Sequence, residues 1–311
     1  MVVSDMTFAL IQNESLRADA FLSELLGISR SRLKHNLDHE NILLNGQVLT
    51  KASFRKFKKG DILDIEIEPL EQLSLTPEPM DLTIVFEDSE VIVVNKPAGL
   101  VVHPAPGHYH GTLMNGIVAH LGSGESDDVR PGMVHRIDKN TTGLLVIAKN
   151  SSSFEQLSHL FAQHDIQREY KALIWGRPKE DKGTIETGHA RDRRVRQRFY
   201  PDPEATRRAV THWEVLESYG GVSLISARLE TGRTHQIRMH MRHLGHPVVN
   251  DDLYSGVRKS GNTHLDGLLR KVNRHLLHAT TLGFTINKKE YYFKTQLPDD
   301  FEAVLSLLKS S

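Results

Sequence analysis

An aspartate set among basic residues, Arg136-Ile137-Asp138-Lys139, runs through Asn140, Thr141, Thr142 and Gly143 into the apolar stretch Leu144-Leu145-Val146-Ile147-Ala148. That stretch has the length and β-branched content of a buried strand, which puts Asp138 at the mouth of a sheet. A carboxylate there is costly to desolvate alone, so it needs a cationic partner, and such pairing tunes pKa values as an active site requires. Arg136 or Lys139 would serve as that partner in a purely structural turn. A second concentration of chemistry is Thr231-Gly232-Arg233-Thr234-His235-Gln236-Ile237-Arg238-Met239-His240-Met241-Arg242. Thr234 is expected to cap a helix ending near Gly245, with Ile237, Met241 and Leu244 facing inward and Arg238 and Arg242 sharing a face. His235, His240, His243 and His246 raise the question of a metal, but with no His-Glu-x-x-His pattern and no cysteine the spacing predicts none. Arg191, Arg193, Arg194, Arg196 and Arg198 form a basic run, which reads either as a solvated mobile loop or as a bidentate clamp on phosphate.

These groups belong to a chain of 311 residues, 39% hydrophobic and 25% charged, enough for two domains and a sizeable core. The absence of cysteine excludes disulfides and thiolate nucleophiles and fits the cytoplasm. Neither a signal sequence nor a membrane-spanning apolar window is legible. Lysine and arginine total 39 and aspartate and glutamate 39. Binding to nucleic acid would therefore need segregated charge rather than a globally basic chain.

The elements that must position the chemistry follow from periodicity and turn signals. Residues 16–27 read as a helix ended by Gly27, and Ser29 is placed to cap a second helix over 30–36 that exposes Arg30, Arg32 and Lys34. Residues 42–44 and 62–67 read as strands, the first followed by the turn Asn45-Gly46. Residues 69–80 hold three prolines and read as a linker. Strands over 82–86 and 91–95, a helix over 115–121, a helix capped by the serines at 151–153, and a strand over 168–176 follow.

Residues 130–150 as a whole closely resemble the His-Arg-Leu-Asp-x-x-Thr-Ser-Gly-Leu-Leu motif of the RluA-type pseudouridine synthases, with Ile137 for Leu and Thr142 for Ser. Asn95-Lys96-Pro97-Ala98-Gly99, Val102-His103-Pro104, Thr231-Gly232-Arg233-Thr234-His235-Gln236-Ile237-Arg238 and Leu277-His278-Ala279 are similar to further motifs of that family. The text is most like the RluD-type members, which act on large-subunit ribosomal RNA. The resemblance implies an α+β catalytic domain over 81–300 on a mixed, largely antiparallel sheet, and a small S4 RNA-binding domain over 16–68. It implies that Asp138 is the essential aspartate, that Arg238 (or alternatively Arg233) keeps it ionised, and that Tyr170 stacks on the base. It further places Arg136 in the space left by a flipped uridine, Leu277 against the base, and Arg30, Arg32 and Lys34 on phosphate. The implied reaction needs no metal, nicotinamide or other cofactor. The implied partner is structured RNA, large-subunit ribosomal RNA before transfer RNA, met by a monomer. A non-catalytic ribosome-assembly factor and a hydrolase using Asp138 remain as other readings.

Overall fold

The computed structural model describes residues 6–11, 14, 16–26, 33, 37, 42–50, 56–66, 75–104, 110–122 and 132–310. The chain divides into two compact units, Met1–Ser74 and Leu75–Ser311. In the first, β1 (Met6–Ala9) is followed by the helix α1 (Ala18–Leu25), and β1, β2 (Ile42–Leu44), β3 (Gln47–Val48) and β4 (Ile62–Ile65) build an antiparallel sheet of order β1-β4-β2-β3. Asn45 and Gly46 both take positive φ, 54° and 76°, which lets two residues join β2 to β3. Ala18 and Leu22 of α1 meet Ile42, Leu63 and Ile65 in a small core that Leu33, Leu37, Leu49 and Phe57 complete. Of the helix expected over 30–36 only Leu33 is among the described residues, in helical conformation, and Arg30, Arg32 and Lys34 lie outside them.

The second unit runs β5 (Ile84–Glu87), β6 (Val91–Lys96), α2 (Leu113–Leu121), β7 (Gly132–Met133), β8 (Thr142–Ala148), α3 (Ser151–Gln163), β9 (Gln167–Trp175), β10 (Lys182–Arg191) and β11 (Phe199–Pro201). It continues through β12 (Arg208–Tyr219), β13 (Val222–Leu229), α4 (Gln236–His243), α5 (Thr263–Val272), β14 (Leu277–Ile286), β15 (Lys289–Lys294) and α6 (Asp299–Lys309). One mixed sheet has the order β11-β10-β12-β13-β9-β14-β8-β6-β5, with β15 added to β14 and β7 to β8. Its pairings are antiparallel except for β8 with β14. With helices on both faces, this is an α+β fold.

That one parallel contact organises the middle of the sheet. Gly143 pairs with Ala279 at φ 116°, and a Cβ built on it would lie 2.2 Å from the Ala279 carbonyl oxygen. Only glycine permits both the dihedral and the approach. β8 is buried along its whole length, and its period-2 alternation splits it between two cores. Leu145 and Ile147 join Ile117, Tyr170, Ile174 and Leu277, whereas Leu144, Val146 and Ala148 pack under Leu157 of α3. A third core sets Leu173, Trp175, Val222 and Leu224 against α5 and α6.

Several local expectations are corrected. The helix expected over 115–121 starts at Leu113, because Thr112 and Asn115 form a reciprocal capping box. Asn150, not a serine at 151–153, caps α3, and Ser153 instead completes its box. Residues 75–80 pack on the second unit: Leu75 joins its core, the Thr76 carbonyl accepts from Asn115, and Glu78 accepts from the backbone N–H of Gly111. Residues 191–198 form a turn folded on Asp192, which accepts from the N–H groups of Arg194 and Val195 and from the Arg198 guanidinium.

Candidate active site

Asp138 ends the extended stretch that precedes β8, and its carbonyl accepts the N–H of Thr141 at 3.0 Å, closing the turn that enters the strand. The turn is held from below by Lys96, whose buried ammonium donates to the carbonyls of Pro97, Leu100 and Lys139 at 2.8–2.9 Å. The Asp138 carboxylate is 21% exposed and accepts from Arg238 Nη1 at 2.9 Å. Arg238 rises from α4 and is also bidentate to Asp251, at 2.7 and 2.9 Å. The Asp251 side chain is fully buried and is fixed in turn by the N–H groups of Leu253 and Tyr254. One guanidinium thus bridges two carboxylates: Asp251 sets its orientation, and the remaining N–H fork faces Asp138.

The loop before α4 bends sharply around Gln236. Its side chain donates to the Val210 carbonyl and to Thr211, and accepts from Thr231 and from the N–H of Arg233. His235 rather than Thr234 stands at the helix N-cap, in the left-handed conformation with φ 57° and no side-chain cap bond. Thr234 accepts instead from Arg136 at 3.1 Å. The His235 ring lies edge-on to Tyr254 and Phe199, with Nε2 3.9 Å from Asp138.

These pieces surround a cleft with about 420 Å³ of empty space, lined by Arg136, Ile137, Asp138, Arg168, Tyr170, Leu229, Gly232, Arg233, His235, Arg238 and Leu277 among others. Tyr170 and Arg168 reach it from β9, two residues apart and so on one face of the strand. Burial alone would raise the Asp138 pKa, but the charges of His235 and Arg238, and the hydrogen bond from Arg238, hold it below the ordinary carboxylate value. Burial lowers His235, so at neutral pH Arg238 is the cation that counts. Burial raises the Tyr170 phenol, and the Asp138 charge adds to that. Burial drives Lys96 down to about 7 against the pull of Asp138, and His275, bonded to Thr141, down to about 3.

Asp138, Tyr170, Arg238, Arg136, Arg233 and Leu277 therefore meet in one cavity. Arg233 donates to the Arg208 carbonyl, and it is Arg238 that bonds Asp138. Arg242 donates to the Tyr254 carbonyl from an exposed position. The histidines of this stretch find polar partners of their own: His240 lies between Thr187 and Thr211, and His246 bonds the Trp175 carbonyl. Sequence reasoning missed Asp251, Arg168 and Lys96 as site residues. Lys96 stood in a quoted motif and Arg168 two residues before Tyr170, but for Asp251 no local pattern signals a bidentate partner thirteen residues from Arg238.

Asp138, paired with Arg238, and the Tyr170 ring thus line one cleft that is partly polar and partly apolar. A family model described as RNA pseudouridylate synthase matches residues 90–243, the stretch holding Asp138, Tyr170 and Arg238. Over 305 residues the chain is 39% identical to the uncharacterized RNA pseudouridine synthase YlyB of Bacillus subtilis, covering 96% of each. Over 303 residues it is 39% identical to the ribosomal large subunit pseudouridine synthase D of Zymomonas mobilis, covering 95% of this chain and 94% of that one. The fold is shared with human RNA pseudouridylate synthase domain containing 4, at TM-score 0.59 and 23% identity over 73% of this chain and 93% of that one. The chain belongs to the RNA pseudouridine synthase family, and it is an isomerase that converts uridine in RNA to pseudouridine.

Proposed function

We propose that this enzyme isomerises uridines in a structured region of large-subunit ribosomal RNA, with Asp138 as its reacting carboxylate. The observation that carries the site is the Asp138 carboxylate held ionised by Arg238 at 2.9 Å on the rim of the cleft that Tyr170 and Leu277 line. The reaction breaks the bond from N1 to C1′, turns the freed uracil, joins C5 to C1′ and moves a proton from C5 to N1. An ionised carboxylate beside the sugar serves it either by attacking carbon or by taking a sugar proton. A 2′-deuterium rate effect on isomerisation distinguishes the second route. Tyr170 stacks on the base and assists loss of the C5 proton, and Leu277 covers the opposite apolar side. Arg136, exposed and resting on Thr234, fills the gap left when the uridine leaves its stack. No soluble cofactor takes part.

The substrate class is supported by the relative named for the ribosomal large subunit, which matches this chain almost end to end. The small N-terminal unit, a helix packed on a four-stranded sheet, is proposed to be an S4-like RNA-binding module whose Arg30, Arg32 and Lys34 meet phosphate. The enzyme is proposed to act as a cytoplasmic monomer. Among the described residues no helix is long and apolar enough to cross a membrane. The test is tritium release from 5-tritiated uridine in ribosomal RNA transcripts, together with carbodiimide-dependent reverse-transcription stops in cells with and without the gene. Release and loss of stops in large-subunit RNA are expected. Stops lost only in transfer RNA would overturn the substrate, and free uracil in place of pseudouridine would overturn the chemistry.

A further inference from the structure

Arg168 enters the cleft from β9 and is buried at 5% exposure, yet among the described residues no carboxylate neutralises it. Nη2 donates to the Glu230 carbonyl at 3.0 Å, the guanidinium carbon lies 5.3 Å from the centre of the Phe161 ring, and Nε has no hydrogen-bond partner. Nη1 sits beside Gly232, where a Cβ would come within 2.5 Å of it. Of the other guanidiniums of the cleft, that of Arg238 bridges two carboxylates and those of Arg136 and Arg233 are exposed, so Arg168 is the buried cation whose charge is left over. A buried guanidinium with no carboxylate beside it and a free N–H is costly to desolvate, and burial lowers its pKa here. Such a cost is accounted for when an anion enters the cavity during the reaction.

The substrate generates one. When the bond from N1 to C1′ breaks, the electron pair stays on N1 and spreads to the two carbonyl oxygens of the uracil, while Asp138 serves the sugar. The same pair orbital system then bonds C5 to C1′, the C5 proton departs and N1 is protonated, which restores neutrality. We infer that Arg168 is a catalytic residue that hydrogen-bonds the departing uracil anion, so that the cleft holds one cation for the carboxylate and a second for the leaving group. This inference rests on the proposed roles of Asp138 and Tyr170, which place the base between Asp138 and β9.

The test compares single-turnover consumption of uridine and of 5-fluorouridine at one position in a ribosomal RNA transcript, by the full-length protein and by Arg168→Gln and Arg168→Lys. Fluorine withdraws electrons and stabilises the freed base as an anion, so that substrate depends less on the cation. Removing one preorganised donor to a developing anion costs on the order of 10²-fold. Arg168→Gln is expected to lose about that on uridine and roughly tenfold less on 5-fluorouridine, with unchanged RNA affinity, and Arg168→Lys to fall between it and wild type. Equal losses on the two substrates would overturn the inference. Accompanied by weaker binding and a shallower salt slope, they would assign the cation to a phosphate; with unchanged binding, they would assign it to holding the Glu230 loop. Wild-type rates in both variants would overturn it as well. If Arg168→Gln does not reach the wild-type unfolding midpoint, Arg168→Lys carries the same comparison. Asp138→Asn, run alongside, reports on the proposed site itself: its activity would sink the role of Asp138 without depending on Arg168.

Discussion

At the scale of single residues, Arg238 is the pivot of the site. Its side chain is 8% exposed and joins the carboxylate of Asp138 to the buried one of Asp251. Arg238→Ala would leave two carboxylates facing each other without a cation, at a cost of about 3–5 kcal/mol. The Asp138 pKa would rise, so the acid limb of the rate–pH profile should move upward and residual activity should increase with pH. A profile with an unmoved acid limb would transfer the pairing role to another cation. Asp138→Asn keeps size and polarity but loses the charge, and isomerisation should fall to background while RNA affinity stays near wild type. Filter binding and tritium release on one preparation check both halves of that expectation.

At the scale of elements, the parallel pairing of β8 with β14 is what brings the turn bearing Asp138 to the same cleft as the strand bearing Tyr170. β14 pairs with β9 on one side and with β8 on the other, and Leu277 and Ala279 sit at the junction. Gly143→Ala would have to relieve a 2.2 Å approach to a backbone carbonyl at φ 116°. A loss of about 3 kcal/mol or more is expected from strain and displaced strands, together with a lower turnover number in whatever remains folded. A urea midpoint within error of wild type would contradict the close pairing. The turn at 191–198 shows an element whose charge run reads ambiguously in sequence. Asp192, with its pKa lowered to about 2 by Arg198 and two backbone N–H groups, folds the run into a defined turn between β10 and β11.

At the scale of the molecule, acid should unfold this protein early. Burial holds His135 and His275 down to about 3 and His240 and His278 to about 4, each bonded as a neutral ring: His135 to the Val146 N–H, His275 to Thr141, His240 to Thr187 and Thr211, and His278 to Thr142. The folded state refuses protons that the unfolded chain takes up below about 6.5. Their contribution is complete above that value and is lost as the pH falls toward 4 and then 3, with a slope of about 1.4 kcal/mol per pH unit for each histidine. Chemical denaturation between about pH 7 and pH 4.5 should show a slope of several protons. A flat stability curve there would contradict the burial of these rings. Deleting Met1–Ser74 should weaken binding to long structured RNA and flatten its salt dependence, yet spare single-turnover chemistry at saturating substrate. Deleting through Met80 should also cost stability, since Leu75, Thr76 and Glu78 belong to the second unit, and Met80 packs over Gly116.

What the residues determine by themselves is local. The buried strand over residues 144–148, the Asn45-Gly46 turn, the inward faces of Ile237 and Met241 and the position of Tyr170 on a strand all follow from apolar content, periodicity and turn chemistry within a few residues. The motif around Asp138 was legible for the same reason, because its aspartate, glycine and apolar run are contiguous. The positions that went wrong are those where a distant group outbids the local one. Thr234 gives up the cap to His235 because Gln236 is drawn into β12 and Arg136 takes the threonine hydroxyl. Asp251 and Arg168 acquire their importance only when α4, β9 and the turn after Val249 converge, and no spacing along the chain encodes that approach. Which of two arginines pairs with Asp138, and which buried cation is left without a carboxylate, are matters of desolvation and geometry inside the cleft. They were decided by the tertiary structure alone, since the energy of a buried charge depends on every group within reach and on none of its sequence neighbours in particular.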